Sequence, residues 1–259
     1  MNVKEITKLL DASLKKEIAM SWDNVGLLVG RENKEVSKIF LALELTQEVL
    51  DEAEEKECDM IIVHHPLIFS GLRSVIQNGH NLVYSLIQKD ISLYATHTNF
   101  DMIPDGLNDH FAQQIGAENI TTIPEENSSE ALLRLFEIKK QPLKDFVSML
   151  KKVFSLEVIR LIGESEKQIG KVGIVTGAGS DYIDIAFAQG ADLFVTGDLK
   201  YHQAMDVIAK NRTVLDVGHF ETEKIFSEAM EFYIKKHIPQ LKDLSIERSQ
   251  KERSPFQYI

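Results

Sequence analysis

The sequence predicts an α/β fold built from two similar lobes with mostly parallel sheets. Short apolar segments alternate with helical patterns, and part of the sequence repeats itself 133 residues later. Alternation of strands and helices is typical of parallel sheets, because each helix carries the chain back to the start of the next strand. The repeat indicates that one such unit occurs twice.

Six short apolar segments are predicted to be strands that are buried on both faces. They are residues 39–43, 60–63, 91–96, 172–176, 193–196 and 213–217. Residues 47–56 and 181–189 place apolar side chains three and four positions apart, which predicts helices between the strands.

The repeat aligns strand, loop, helix and strand without a gap. Four of the 28 positions from 38 to 65 are identical after the shift: Lys38 and Lys171, Asp51 and Asp184, Ala53 and Ala186, and Asp59 and Asp192. So few identities leave chance as an alternative, but the shared order of elements favours an ancient duplication. We therefore predict a first lobe over 1–122 and a second lobe over 166–259.

The connection between the lobes is predicted to span residues 123–165. Residues 123–130 are polar and have a turn composition. The following residues predict a strand at 131–138, a helix at 142–154 with proline in its first turn, and a strand at 156–162.

Composition and charge restrict the function classes. Hydrophobic residues make up 44% and charged residues 27% of the 259 residues, which is typical of a soluble globular protein. No apolar run is long enough to span a membrane, and the N-terminus lacks the features of a signal peptide, so a cytoplasmic location is expected. The net charge of −11 and the lack of a basic stripe argue against nucleic acid as the main partner. The single cysteine, Cys58, is expected to be a small buried hydrophobic residue.

Polar side chains follow four of the predicted strands. They are His64 and His65 before Pro66, His97 with Asp101, Asp198 with His202, and His219 with Glu223. Ligands of open α/β sheets bind just beyond the carboxyl ends of strands, and five of the eight histidines fall there. The other three, His80, His110 and His237, are expected to be surface or packing residues.

Local geometry favours a metal site at these strand ends. His64 and His65 are adjacent, so in a strand they point to opposite sides and can reach two different ions. Pro66 restricts His65 to an extended conformation. His219 and Glu223 are four residues apart, so a helix places both on one face. The alternatives are a hydrogen-bonded packing role for each histidine and a solvated helix face for the pair.

Three imidazoles and two carboxylates suit zinc, iron, manganese, nickel or cobalt without choosing among them. Two such ions roughly 3.5–4 Å apart can activate water and polarise a substrate oxygen together. We therefore predict two divalent ions per subunit in a cleft between the lobes, at the carboxyl ends of the strands. The segment 176–180 also follows a strand; it is expected to be a tight turn, with anion binding by its amides as the alternative.

An ordered set of motifs resembles a known family. The motifs are SWDNVGL at 21–27, HHPL at 64–67, THTNFD at 96–101, GDLKYH at 197–202 and GHFETE at 218–223. Together they resemble the GTP cyclohydrolase 1 type 2 homologues, which are dinuclear-metal proteins of the NGG-interacting-factor-like type. The resemblance implies a duplicated α/β fold and a homohexameric ring. It also implies metal ligands at His64, His65, Asp101, His219 and Glu223, with His97, Asp198 and His202 close to the metals.

Two functions follow from this resemblance and from the metal chemistry. The first is a metal-dependent hydrolase, with GTP ring opening as the nominal reaction and phosphoester or amide cleavage as variants. His97, His202 and Asp198 are then the candidate catalytic groups, and the partner is a nucleotide or another small molecule. The alternative is a scaffold ring that handles metal or binds a partner without turnover.

Overall fold

The computed structural model describes residues 1–77, 81–124 and 131–257. His80 and most of the predicted polar connection at 123–130 lie outside the described residues. The helices are α1 Val3–Ser13, α2 Gln47–Glu55, α3 Leu82–Lys89, α4 Thr98–Met102, α5 Leu107–Gln114, α6 Leu143–Val153, α7 Ile183–Ala188, α8 Tyr201–Ala209, α9 His219–Glu223 and α10 Phe226–His237. The strands are β1 Gly26–Val29, β2 Lys38–Ala42, β3 Met60–Val63, β4 Ser92–Ala95, β5 Glu118–Thr122, β6 Arg134–Pro142, β7 Arg160–Ile162, β8 Gln168–Ile174, β9 Leu193–Thr196, β10 Val214–Asp216 and β11 Ser245–Arg248.

The chain forms two compact units. Unit 1 consists of residues 1–103 and 226–253 and contains a five-stranded sheet in the order β1-β4-β3-β2-β11. All its neighbouring strands are parallel except β1 and β4. Strands β3 and β4 are completely buried, as the continuous apolar runs predicted.

Unit 2 consists of residues 104–225 and the residues from 254 onward. Its sheet has six strands in the order β5-β6-β8-β9-β10-β7. Strands β8, β9 and β10 are parallel, and the remaining neighbours are antiparallel. The mixed α/β class with two sheets is confirmed, and the antiparallel strands extend a parallel centre in each sheet.

The two units divide the chain at other positions than the predicted boundaries at 122 and 166. Residues 104–122 belong to unit 2 because β5 pairs with β6. Residues 226–253 belong to unit 1 because β11 pairs with β2. The strand predicted at 156–162 is shorter than expected. It covers Arg160–Ile162 and joins the second sheet as β7 beside β10.

The duplication is visible in the strand register. In unit 1, Ile39 pairs with Met60 on parallel strands. In unit 2, Val172 pairs with Leu193, and both of these residues lie 133 positions after their counterparts. A shift of one residue would turn every side chain of a strand to the other face of the sheet. The equal registers therefore support a common origin of the two units.

The hydrogen bonds of the identical residues repeat as well. One carboxylate oxygen of Asp59 accepts the backbone N–H of Ser37 at 2.8 Å and that of Lys38 at 3.2 Å. The counterpart Asp192 accepts the N–H of Gly170 at 2.9 Å and that of Lys171 at 3.0 Å. One of the four identities, the pair Asp59 and Asp192, therefore serves the same structural purpose in both units, which is to tie the start of one strand to the start of its neighbour.

Replacing Asp59 with asparagine is expected to lower the free energy of unfolding by about 1–2 kcal/mol at neutral pH, since charged acceptors make stronger bonds than neutral ones. Burial raises the pKa of Asp59, but the hydrogen bonds from Ser37 and Lys38 outweigh it and lower the pKa overall. The stabilisation is therefore complete above the unfolded pKa and is lost as the pH falls through the folded pKa. Urea titrations at neutral and acidic pH measure this difference. The exposed Asp51→Asn is the control, and equal losses in both variants would contradict the prediction.

Two further expectations concern single features. Cys58 is buried, and burial raises the pKa of its thiol to about 11, so it behaves as a small hydrophobic residue. Within the residues that the structure describes, no helix combines the length and the apolar character needed to cross a membrane.

Candidate metal centre

In unit 1, His64 and His65 follow β3 where the chain turns away from the sheet. The backbone N–H groups of both residues donate to the carbonyl of Leu43, at 3.0 and 2.9 Å. Their ring centroids lie 5.1 Å apart with an interplanar angle of 40°. The expectation that they point to opposite sides is wrong, because the strand ends at Val63 and its alternation ends with it.

His97 joins these two rings. Its ring centroid lies 5.1 Å from that of His64 and 5.5 Å from that of His65. The three imidazoles place one nitrogen each within 4.8 Å of one another, which is close enough to hold a metal ion. Sequence reasoning assigned His97 to proton transfer, whereas the structure also places it among the metal-binding candidates.

Asp101 lies on α4 and reaches the same cluster. It is buried, and its Oδ1 lies 3.5 Å from Nε2 of His64. A carboxylate and an imidazole at that separation suit two ligands of one divalent cation. The structure therefore brings together His64, His65 and Asp101, the three ligands predicted in unit 1.

Two hydrogen bonds behind the cluster each fix a tautomer. Nδ1 of His64 lies 3.0 Å from the carbonyl of Thr96, which can only accept, so this nitrogen carries the proton. Nδ1 of His97 lies 3.0 Å from Oδ1 of Asp23 and donates to it. Both rings then present Nε2 as the basic nitrogen, as metal-ligating histidines do.

Asp23 was not found by sequence reasoning. Its second oxygen accepts the backbone N–H of Thr98 at 3.1 Å and the hydroxyl at 2.6 Å. Burial raises the pKa of Asp23, but the hydrogen bonds from His97 and Thr98 outweigh it and hold the pKa at about 2. Asp23 precedes β1 and follows no strand, so the rule that ligands follow strands does not select it. The only signal was its place in the motif at 21–27.

In unit 2, α9 carries the predicted pair. Nε2 of His219 lies 3.0 Å from Oε2 of Glu223, one turn further along the helix. Nδ1 of His219 lies 2.8 Å from Oδ2 of Asp198, so each ring nitrogen of His219 faces a carboxylate. An acceptor beside Nδ1 therefore occurs a third time. Asp198 contacts His219 through this nitrogen, and the catalytic role of Asp198 stays a prediction.

The turn at 176–180 closes over this pair. The N–H of Gly177 donates to Thr222 at 2.9 Å, and the N–H of Gly179 donates to Thr196 at 2.8 Å. Those two amides are occupied within the protein, so the tight-turn interpretation is favoured over anion binding. A Cβ added at Gly177 would lie 2.2 Å from Oε1 of Glu223, so only glycine allows this close approach.

His202, the remaining predicted site residue, is exposed on the first turn of α8. Its ring contacts that of Tyr201 at 5.3 Å. The role of His202 in catalysis stays a prediction. Of the histidines expected to be surface or packing residues, His237 is exposed and contacts Tyr233, and His110 is half-buried on α5.

Comparisons with known proteins show the family to which the chain belongs. The model of the family described as Duf34/NIF3 (NGG1p interacting factor 3) matches residues 1–255. The chain belongs to the Duf34/NIF3 family. A Duf34/NIF3 relative from Streptococcus pneumoniae named "GTP cyclohydrolase 1 type 2 homolog" is 33% identical over the full length of both chains. A Clostridium perfringens protein of the same name is 31% identical, again over the full length of both.

Solved structures carry the same fold. A crystal structure of a hypothetical protein from Staphylococcus aureus has a TM-score of 0.93 and 33% identity, covering 100% of this chain and 99% of the other. Reduced HcgD from Methanocaldococcus jannaschii has a TM-score of 0.79 and 26% identity, covering 96% and 98%. The Duf34/NIF3 fold with duplicated lobes is thereby confirmed for this chain.

Proposed function

We propose that this protein is a metal-dependent hydrolase with a dinuclear centre. The metal ligands in this proposal are His64, His65, Asp101, His219 and Glu223. The observation that carries it is the acceptor that lies beside Nδ1 of His64, His97 and His219, an arrangement that suits Nε2 as the ligating or proton-transferring nitrogen. Outer acceptors of this kind are the usual companions of metal-binding histidines and have less reason to recur in a purely structural cluster.

The donor set fits divalent zinc, iron, manganese, nickel or cobalt, because it combines imidazole nitrogen with carboxylate oxygen and contains no thiolate. Metal ions bound here would supply Lewis acidity and water activated near neutral pH. His97 would transfer protons at Nε2. Asp23 would hold His97 in position through Nδ1 and, as a carboxylate, stabilise the positive charge that the ring gains.

The substrate class in this proposal comes from the names of the relatives. They point to hydrolytic opening of the guanine ring of GTP as the first reaction to test, followed by phosphoester and cyclic amide cleavage. The competing function is a metal-handling scaffold, which would bind the same ions and turn nothing over.

Metal removal separates these two functions. We expect chelator-treated protein to be inactive, and activity to return in proportion to the bound metal, up to two ions per chain, when zinc, manganese or iron(II) is added. Elemental analysis and assays with nucleotides, phosphoesters and cyclic amides on the same samples measure both quantities. Full loading without turnover on any of these substrates would favour the scaffold, and failure to load any ion would refute the metal centre.

The Asp23→Asn substitution tests the hydrogen bond by which Asp23 holds His97. We expect turnover to fall about 10- to 100-fold, the range found for outer partners of active-site histidines, with the metal content of the purified protein retained. The amide can donate as well as accept, so it no longer fixes the His97 tautomer. Kinetics and elemental analysis report the two effects separately. An unchanged kcat would contradict the role of Asp23, and Asp11→Asn, at a carboxylate that bonds Tyr94 instead, is the control.

We also propose that the protein assembles into a closed homohexamer, as the family resemblance implies, because closed symmetry is the usual state of soluble homo-oligomers. Light scattering measures the mass directly. A mass near the 29.4 kDa of a single chain would refute the assembly without affecting the metal centre.

A further inference from the structure

Two large aromatic side chains are exposed beside the histidine cluster of unit 1. Trp22 is 55% exposed and Phe69 is 56% exposed, although both are among the residue types that gain most from burial. Their ring centroids lie 5.7 Å apart at an angle of 42°. The two rings therefore lie beside each other, tilted, with about half of each side chain accessible to solvent.

The indole of Trp22 also contacts the histidine cluster. Its centroid lies 5.9 Å from that of His97, in an edge-to-face arrangement at 73°. His97 in turn lies beside His64 and His65. A molecule that stacks on the aromatic pair is thus one ring away from the candidate metal ligands.

The backbone on both sides of the pair is held in place. Asp23, next to Trp22, is fixed by His97 and Thr98. Asn24 donates from its side-chain amide to the carbonyl of Ile68 at 2.5 Å, which joins the loop of Trp22 to the loop of Phe69. Exposed rings on anchored loops are preorganised for binding, since little conformational freedom remains to be lost.

We propose that Trp22 and Phe69 form an aromatic platform that stacks a planar heterocyclic ring of the substrate beside the histidine cluster. Stacking does not depend on the substituents of the heterocycle, because every planar aromatic ring has a π-face that can stack on another ring. The platform names the substrate class of the proposed hydrolase, and it rests on that proposed function for its catalytic consequence alone.

The platform contains its own reporter. Trp22 is the single tryptophan of the chain, so intrinsic tryptophan fluorescence comes from this position only. The experiment titrates the full-length protein with guanosine, and with ribose 5-phosphate as a probe that lacks the ring. Both titrations use zinc-loaded and chelator-treated samples whose metal content is measured.

We expect saturable quenching by guanosine and none by ribose 5-phosphate. Phe69→Ala should weaken guanosine binding about 30-fold, the middle of the range for loss of one stacking ring, whereas Phe69→Tyr should keep it. Leu72→Ala is the matched control, because Leu72 is an equally exposed apolar residue of the same segment.

Three results would overturn the platform: no saturable quenching, equal affinity in Phe69→Ala, or an equal loss in Leu72→Ala. A fourth is Trp22 emission that changes with protein concentration alone while light scattering shows association, since the rings would then be covered by a second copy. Metal-dependent turnover without guanosine binding would refute the platform and leave the hydrolase proposal intact. Guanosine binding to protein that takes up no metal would support the platform and refute the hydrolase proposal.

Discussion

A His65→Ala variant is expected to lose one bound metal ion and to lower any turnover by more than about 100-fold, because even outer partners of metal sites cost 10- to 100-fold. The side chain of His65 is 24% exposed, whereas that of His64 is fully buried. We therefore expect the free energy of unfolding of the metal-free protein to fall by about 1 kcal/mol, the typical effect of a single substitution. Elemental analysis, kinetics and urea unfolding measure the three quantities.

His64→Ala is a less specific test of the same centre. His64 is fully buried and bonds the Thr96 carbonyl, so its loss disturbs packing as well as metal binding. His237→Ala is the control for histidine removal as such, since His237 is exposed on α10. Full metal content and full turnover in His65→Ala would exclude His65 as a ligand.

Asp109→Ala should have the largest effect on stability, about 3–5 kcal/mol, which is typical when one partner of a buried ion pair is removed. Arg134 is fully buried at the start of β6, and its guanidinium donates to Asp109 on α5. Without that carboxylate, the guanidinium charge in the interior of unit 2 loses this ion pair. The midpoint of urea unfolding measures the loss.

The double variant with Arg134→Met separates charge from packing. It should recover much of the stability, because an apolar side chain of similar length carries no charge that needs a partner. Asp145→Ala, at an exposed carboxylate on α6 of the same unit, should change stability by no more than about 0.5 kcal/mol. A loss in Asp109→Ala as small as in this control would show that the pair contributes little.

The central strands could be predicted because their burial on both faces leaves a continuous apolar run. The unpredicted strands β1, β5 and β11 lie at or near sheet edges, and their burial is partial. Strand β11 is ordered by pairing with β2, some 200 residues earlier in the chain, and no local pattern reports such a contact. The unit boundaries depend on the same long-range pairing and were misplaced for that reason.

The ligand candidates could be predicted because they follow strands, a rule that needs only local sequence. The rule does not identify the residues that form hydrogen bonds with those ligand candidates. Asp23 reaches His97 from 74 positions earlier in the chain, and Asp198 reaches His219 across 21 positions. The orientation of His64 and His65 also depended on a third partner, the Leu43 carbonyl, that turns the chain at the end of β3.

The duplicated halves are no longer interchangeable, and the reason lies at one position. Gly197 is the counterpart of His64 after the shift of 133 residues. A Cβ at Gly197 would lie 2.6 Å from the backbone nitrogen of His219 and from the carbonyl carbon of Gly218, and backbone atoms cannot give way as a flexible side chain can. The strand end of the second copy therefore has no room for a histidine side chain. The candidate imidazole ligand of unit 2, His219, comes from α9 instead, so the two halves cannot exchange their strand-end residues by a single substitution.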